Sequence, residues 1–180
     1  MSCPRLPGDP GTRERIARMV RVDHAGEQGA RRIYDGQLAV LGKSGVAPAI
    51  RRMAEQERRH LEHFDRLMVE RRVRPTVLSP LWHVAGFALG AATALLGERA
   101  AMACTVAVEE TIDAHYAAQI AALGDSDPAL KSAIAEFRDD ELEHRATGLA
   151  HGAEDAPGYE AMTGLIKLGA RAAIWLSERF

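Results

Sequence analysis

The chain has 180 residues, 47% of them hydrophobic, and a formal net charge of -2. This length suffices for one domain with a sizeable core, and the near-neutral charge excludes a general attraction to nucleic acid. The two cysteines form neither a zinc pattern nor a disulfide framework. We expect a flexible N-terminus at residues 1–11, with neither a signal peptide nor a mitochondrial presequence, and a single domain at 12–180.

Helical periodicity predicts six helices in chain order, at about residues 11–41, 46–73, 79–97, 98–123, 129–150 and from beyond Pro157 to the C-terminus. Glycines and prolines mark the ends of these segments. Ser79 is expected to cap the third helix, with Pro80 in the first helical position. Because no segment shows the alternation of a strand, the predicted fold class is all-α.

Short loops join the first two helices into one hairpin and the fourth and fifth into another. The segment between the hairpins is itself a helix, which at ~1.5 Å per residue is long enough to run the length of a bundle. This order predicts a ferritin-like four-helix bundle with a long helical crossover and an additional C-terminal helix.

Acidic residues and histidines recur in the same order in both hairpins, as Glu27, Glu57 and His60, and then as Glu109, Glu141 and His144. Each Glu-x-x-His pair lies on one helix face. Glu27 and Glu109 lie 17 residues before the turns at Ser44 and Ser126, and the Glu-x-x-His pairs lie 13 to 18 residues after them. Equal distance from a turn means equal depth in antiparallel helices. All six side chains can therefore meet at one level of the bundle.

Four carboxylates in a bundle core require compensating charge, which two divalent cations would supply. The mixture of carboxylate and imidazole suits iron or manganese better than zinc or calcium. The alternative is a neutralised core network of Glu, His and Arg. Spacing alone does not distinguish Glu109 from Glu110, since both lie beside apolar residues.

Several stretches resemble the demethoxyubiquinone hydroxylase family, the di-iron enzymes of ubiquinone biosynthesis. They are RVDHAGEQGARRIYDGQLAVL (21–41), EQERRHLEHF (55–64), ACTVAVEE (103–110), FRDDELEHRATGLAH (137–151) and GARAAIWLSERF (169–180). The resemblance covers the chain from Arg13 onward. It implies two iron ions, with ligands at the six positions above and with Glu109 rather than Glu110 among them. Trp175 departs from the tyrosine found in some relatives.

The resemblance further implies O2-dependent hydroxylation of a polyprenylated methoxybenzoquinol. Its electrons would come from an external reductant, either NADH or the quinol itself, although the sequence contains no dinucleotide fingerprint. A lipid-binding protein of the ubiquinone pathway is an expected partner. The alternatives are an oxidase or hydroxylase acting on another lipid, a ferritin-like iron-storage protein and a non-catalytic quinone-binding scaffold.

Three further side chains are expected near the metals. His115 and Tyr116 follow Glu109 by about two helical turns, and Tyr34 follows Glu27 by seven residues. We predict that they assist catalysis as neighbours of the ligands or as relays for protons and electrons. Ordinary core packing is the alternative. His24, one turn before Glu27, is expected to be a hydrogen-bonding neighbour of that ligand.

Residues 75–97 contain no Asp, Glu, Lys or Arg. This stretch is long enough to span a bilayer but only moderately apolar, so a buried or interfacial helix is the alternative. We expect peripheral attachment to one leaflet through residues 77–97 and the last helix, with Trp175 at the headgroups and with Lys167 and Arg171 on an amphipathic face. The expected location is the cytoplasmic face of a bacterial inner membrane, or the mitochondrial inner membrane for a mature eukaryotic chain.

Overall fold

The computed structural model describes residues 10–180, so most of the expected flexible N-terminus, including Cys3, lies outside the described residues. The helices are α1 (Thr12–Leu41), α2 (Ala47–Arg71), α3 (Ser79–Leu95), α4 (Glu98–Leu123), α5 (Pro128–Ala150) and α6 (Tyr159–Ser177). A short 3-10 turn, Ala153–Asp155, precedes α6, and residues 10–180 contain no strand. The all-α prediction is confirmed.

The helices form two antiparallel hairpins, α1–α2 and α4–α5, which pack together as a four-helix bundle. Their loops lie at opposite ends, so α3 must run back along the bundle before α4 can begin. With 17 residues, α3 is about 25 Å long at ~1.5 Å per residue. It packs along α1, while α6 packs mainly on α4. The chain therefore has the predicted ferritin-like arrangement with a helical crossover and an additional C-terminal helix.

Glycines allow α3 to lie directly against the backbone of α1. A Cβ atom on Gly90 would lie 1.9 Å from the carbonyl oxygen of Ile33, and one on Gly36 would lie 2.2 Å from that of Phe87. Neither position has room for a side chain. The side of α3 that faces α1 is consequently made of small residues, and large side chains such as Leu81 and Val84 are exposed on its outer side.

The helix ends differ from expectation in one respect. Ser79 is the first residue of α3 and not its N-cap, since Leu78 holds the cap position with near-helical backbone angles. The Ser79 hydroxyl donates to the carbonyl of Thr76 at 3.0 Å. Capping is seen instead at α5, where the Asp127 side chain accepts from the Leu130 amide at 3.1 Å.

Two apolar clusters fill opposite ends of the bundle and leave a polar layer between them. One contains Val20, Phe64, Leu67, Met68, Tyr116, Leu123, Leu130, Ile134 and Phe137. The other contains Tyr34, Val46, Ile50, Met53, Met102, Ala103, Val106, Ala153 and Ala156. Charged groups between these clusters are shielded from water, which strengthens the electrostatic interactions among them.

A helix that spans a bilayer must be both long and apolar. Among residues 10–180, no helix combines the length and the apolar character needed to cross a bilayer.

Candidate metal centre

The structure brings all six predicted side chains into the polar layer. They come from all four bundle helices, and each is at most 1% exposed: Glu27 of α1, Glu57 and His60 of α2, Glu109 of α4, and Glu141 and His144 of α5. The common depth inferred from the hairpin turns is therefore found in three dimensions.

Both histidines turn the same ring nitrogen toward the carboxylates. The Nδ1 atom of His60 lies 3.4 Å from Glu27 Oε2 and 3.4 Å from Glu141 Oε1. The Nδ1 atom of His144 lies 3.1 Å from Glu57 Oε1 and 3.1 Å from Glu141 Oε2. A nitrogen and two carboxylate oxygens thus converge at two adjacent points.

The side chains divide into two groups, each of which could hold a metal ion. Within each group the potential ligand atoms lie within 4.8 Å of one another. One group is Glu27, Glu57, His60 and Glu141, and the other is Glu57, Glu109, Glu141 and His144. Glu57 and Glu141 belong to both groups, whereas each group has its own histidine and its own unshared glutamate. Two cations bridged by two carboxylates would match this division.

The polar atoms of this cluster fit positively charged occupants. Within the described residues, Glu27 Oε2, Glu109 Oε2, Glu141 Oε1 and both oxygens of Glu57 have no hydrogen bond of ordinary geometry although they are buried. Such groups cost free energy unless they are paired or coordinate a metal. A set of carboxylate and imidazole donors is appropriate for iron or manganese.

Burial and the close approach of the charged groups also shift the pKa values of the side chains in this cluster. Burial and the charges of Glu141 and Glu27 raise the pKa of Glu57 well above its ordinary value. Burial alone would lower the pKa of His60, but its close contacts with the charged carboxylates of Glu141, Glu27 and Glu57 raise it to about 11. The cluster therefore holds protons strongly, and divalent cations would displace them on binding.

Two buried tyrosines contact the unshared glutamates in a reciprocal manner. The Tyr34 hydroxyl of α1 donates to Glu109 Oε1 of α4 at 2.5 Å. The Tyr116 hydroxyl of α4 donates to Glu27 Oε1 of α1. Burial and the neighbouring carboxylates raise the pKa of both phenols, so they remain donors. Tyr34 and Tyr116 thus contact two of the predicted ligands, and their part in catalysis stays a prediction.

Glu110 lies outside the cluster. Its carboxylate accepts from Arg145 of α5 at 2.8 Å and lies 2.5 Å from the Lys167 ammonium of α6. Burial would raise its pKa, but these two cations lower it. Lys167 therefore faces the bundle and not a free amphipathic surface, which corrects one expectation for α6.

His115 does not contact the six side chains. Its Nε2 atom lies 3.3 Å from Asp23 Oδ1, and the Gln119 amide lies 2.7 Å from the same oxygen. Asp23 is buried one turn before Glu27, and burial raises its pKa despite the hydrogen bond with His115. A groove of about 260 Å³ is lined by both His115 and Gln119.

Two polar residues beside the histidines escaped the sequence analysis. Asp140 Oδ2 lies 2.9 Å from His60 Nε2, and Gln56 Oε1 lies 3.2 Å from His144 Nε2. Each immediately precedes the glutamate of a Glu-x-x-His pair, a regularity that the sequence displays. The expectation for His24 was wrong, because its Nε2 contacts Asp65 Oδ1 of α2 at 3.0 Å instead of Glu27.

Fold and site together define a ferritin-like helical bundle whose core carries a paired carboxylate–histidine centre. The family model described as "Ubiquinone biosynthesis protein COQ7" matches residues 14–177. The chain belongs to this family.

Named relatives extend across nearly the whole chain. The 3-demethoxyubiquinol 3-hydroxylase of Rhodospirillum rubrum is 59% identical over 97% of this chain and 83% of its own length. The NADPH-dependent 3-demethoxyubiquinone 3-hydroxylase of Mus musculus mitochondria is 58% identical over 93% of this chain and 79% of its own. The mitochondrial 5-demethoxyubiquinone hydroxylase of Saccharomyces cerevisiae is 43% identical, with coverages of 91% and 78%.

Proposed function

We propose that this protein is a 3-demethoxyubiquinol 3-hydroxylase, which uses O2 to hydroxylate the ring of 2-polyprenyl-3-methyl-6-methoxy-1,4-benzoquinol. The observation that carries the proposal is the pair of buried carboxylate–histidine groups sharing Glu57 and Glu141. The family membership and the names of the relatives agree with it.

The six buried side chains are the proposed ligands of two iron ions, with Glu57 and Glu141 shared between them. When bound in the reduced state, the iron pair supplies the activation of O2. Tyr34 and Tyr116 hold the unshared carboxylates Glu109 and Glu27 in fixed orientations through their hydrogen bonds. The apolar clusters on either side of the centre exclude water from it.

Hydroxylation replaces a ring C–H bond with C–O–H, using one oxygen atom of O2. The second oxygen leaves as water, so the reaction consumes two electrons and two protons. An external donor provides the electrons, and the name of the mouse relative specifies NADPH for that protein. Asp23, His115 and Gln119 form a polar path between the groove and the turn that carries Glu27, and we expect protons to use it.

The substrate carries a polyprenyl tail, and we propose that the protein meets it at one leaflet of the membrane. Large apolar side chains are exposed on the outer sides of two helices: Leu81, Val84 and Leu95 on α3, and Leu165, Leu168 and Trp175 on α6. Soluble surfaces rarely group so many of them. For a bacterial chain, the proposed location is the cytoplasmic face of the inner membrane, where a lipid-binding pathway protein would be the expected partner.

An apolar cluster lies between α6 and α4, the helix that carries Glu109. Ile166 of α6 and Val108 of α4 belong to it, and Leu89 of α3 packs against it. Val108 is adjacent to Glu109 in the sequence. We propose that the quinol head passes between α3 and α6 along this cluster while its tail remains in lipid.

The proposal is tested by iron content and turnover in matched variants of α5. Glu141→Ala removes a shared carboxylate, whereas Glu143→Ala alters an exposed glutamate on the same helix. We expect the purified wild type and Glu143→Ala to hold two irons per chain and to hydroxylate the demethoxyquinol with O2. Glu141→Ala should lose both properties with unchanged helix content by circular dichroism.

Full turnover by metal-depleted protein would contradict the proposal. Iron uptake by the wild type without any quinol hydroxylation would favour iron storage instead. In the organism, deletion of the gene should cause demethoxyubiquinone to accumulate in lipid extracts.

A further inference from the structure

The residues that precede the two Glu-x-x-His pairs cross over to the histidine of the opposite helix. Asp140 of α5 contacts His60 of α2, and Gln56 of α2 contacts His144 of α5. The positions are equivalent in the two hairpins, but one holds a carboxylate and the other a neutral amide.

The hydrogen bonds fix which atoms donate and which accept. A carboxylate oxygen only accepts, so His60 donates its Nε2 proton to Asp140 Oδ2 at 2.9 Å. The Gln56 amide nitrogen donates to Asp140 Oδ1 at 3.2 Å, which turns the Gln56 carbonyl toward His144. His144 therefore also donates through Nε2. In both rings this leaves Nδ1 facing the carboxylate cluster.

Packing restricts the ring of His60 further. Phe137 is stacked on it, with the ring centroids 4.1 Å apart and an angle of 29° between the planes. The hydrogen bonds described above form one continuous chain between the two groups, in the order His60, Asp140, Gln56 and His144.

We propose that Gln56 and Asp140 are positioning residues that make the two metal positions unequal, with the tighter position at His60. A carboxylate that accepts from a metal-ligating imidazole makes it a more electron-rich ligand than a neutral carbonyl does. The first divalent cation should therefore bind with Glu27 and His60, and the second with Glu109 and His144. This inference rests on the metal ligands of the proposed function.

Three variants separate charge from geometry. Asp140→Asn removes the charge and keeps an acceptor for His60, although its amide no longer accepts from the Gln56 N–H. The exchange variant, Gln56→Glu with Asp140→Asn, moves the carboxylate to His144 and preserves both the net charge and the amide–carboxylate hydrogen bond. Asp139→Asn is the matched control, because Asp139 is exposed and adjacent to Asp140.

The measurement is calorimetric titration of metal-depleted protein with Co²⁺, with helix content checked by circular dichroism. The wild type and Asp139→Asn should bind two ions in two separable steps. Asp140→Asn should weaken the tighter step by roughly 10- to 100-fold and bring the two steps together. His60→Ala should remove the tighter step in the wild type, whereas His144→Ala should remove it in the exchange variant.

Two equal steps in the wild type, or an unchanged tighter step in Asp140→Asn, would overturn this inference while leaving two bound ions and the proposed function intact. Failure of the wild type to bind two ions would instead contradict the proposed function itself.

Discussion

At the scale of single residues, Glu109 and Glu110 are neighbours in sequence with different surroundings. Glu109 is fully buried in the carboxylate cluster, whereas Glu110 joins Arg145 and Lys167 near the surface. Consecutive helical residues point about 100° apart, so a one-residue difference changes a side chain's environment completely.

Glutamine substitutions at these two positions preserve volume and should have different effects. Glu109→Gln should lose the metal ion that it helps to hold, and with it most turnover. Glu110→Gln should retain two metal ions but lose about 0.5 to 1 kcal/mol of unfolding free energy, because its ion pairs are partly solvated. Metal analysis and denaturant unfolding measure the two effects. Equal metal loss in both variants would show that Glu110 also supports the centre.

At the scale of helices, the close contact between α1 and α3 explains how an uncharged crossover helix is held on the bundle. The small residues of α3 allow the two backbones to touch and leave the large side chains of α3 on its outer side. The same residues that make α3 uncharged and only moderately apolar therefore also fix its position against the bundle.

Alanine substitutions of glycines test this packing. Gly90→Ala places a Cβ atom 1.9 Å from the Ile33 carbonyl oxygen, so it should destabilise the fold by about 1 to 3 kcal/mol. Gly169→Ala, on α6, meets no atom within 4 Å and should stabilise by about 0.5 to 1 kcal/mol through helix propensity. Urea unfolding at equal metal content provides the comparison. A Gly90→Ala protein as stable as the wild type would refute the tight contact.

At the scale of the whole molecule, α3 and α6 combine exposed apolar surfaces with a direct connection at one end. The Trp82 indole of α3 donates to the Ser177 hydroxyl of α6 at 3.0 Å. Just beyond the end of α6, the Arg179 guanidinium lies 4.0 Å from the ring centroid of Trp175. An aromatic ring with an adjacent cation suits the headgroup region of a membrane.

Charges introduced on this surface should separate membrane-dependent turnover from chemistry. Leu95→Asp or Leu168→Asp should weaken vesicle binding about 10-fold or more, since a buried leucine contributes ~1.5 to 3 kcal/mol. Turnover of a long-tailed quinol should fall in parallel, while a short-tailed soluble analogue should react almost normally. Val69→Asp, at an exposed position on α2, is the control. Equal loss for both substrates, with fold and iron content unchanged, would place the entrance elsewhere.

The sequence by itself determined the helices, their order and, apart from the choice between Glu109 and Glu110, the side chains that converge. Helical periodicity is local, and distance from a turn is preserved as depth in a hairpin, so neither inference required the tertiary structure. The start of α3 was misplaced by one residue because the turn before Ser79 already has near-helical backbone angles. Periodicity does not detect such a turn.

The tertiary structure decided the relations between helices. Spacing left Glu109 and Glu110 equivalent, and only packing showed that cations from α5 and α6 neutralise Glu110. The pairing of Gln56 with His144 and of Asp140 with His60 joins residues far apart in the chain, where no local pattern applies. The direction in which the Lys167 side chain points likewise depends on the orientation of α6 about its own axis where it packs on α4. Rotation about a helix axis is set by the surface on which the helix packs, and a single sequence does not specify that surface.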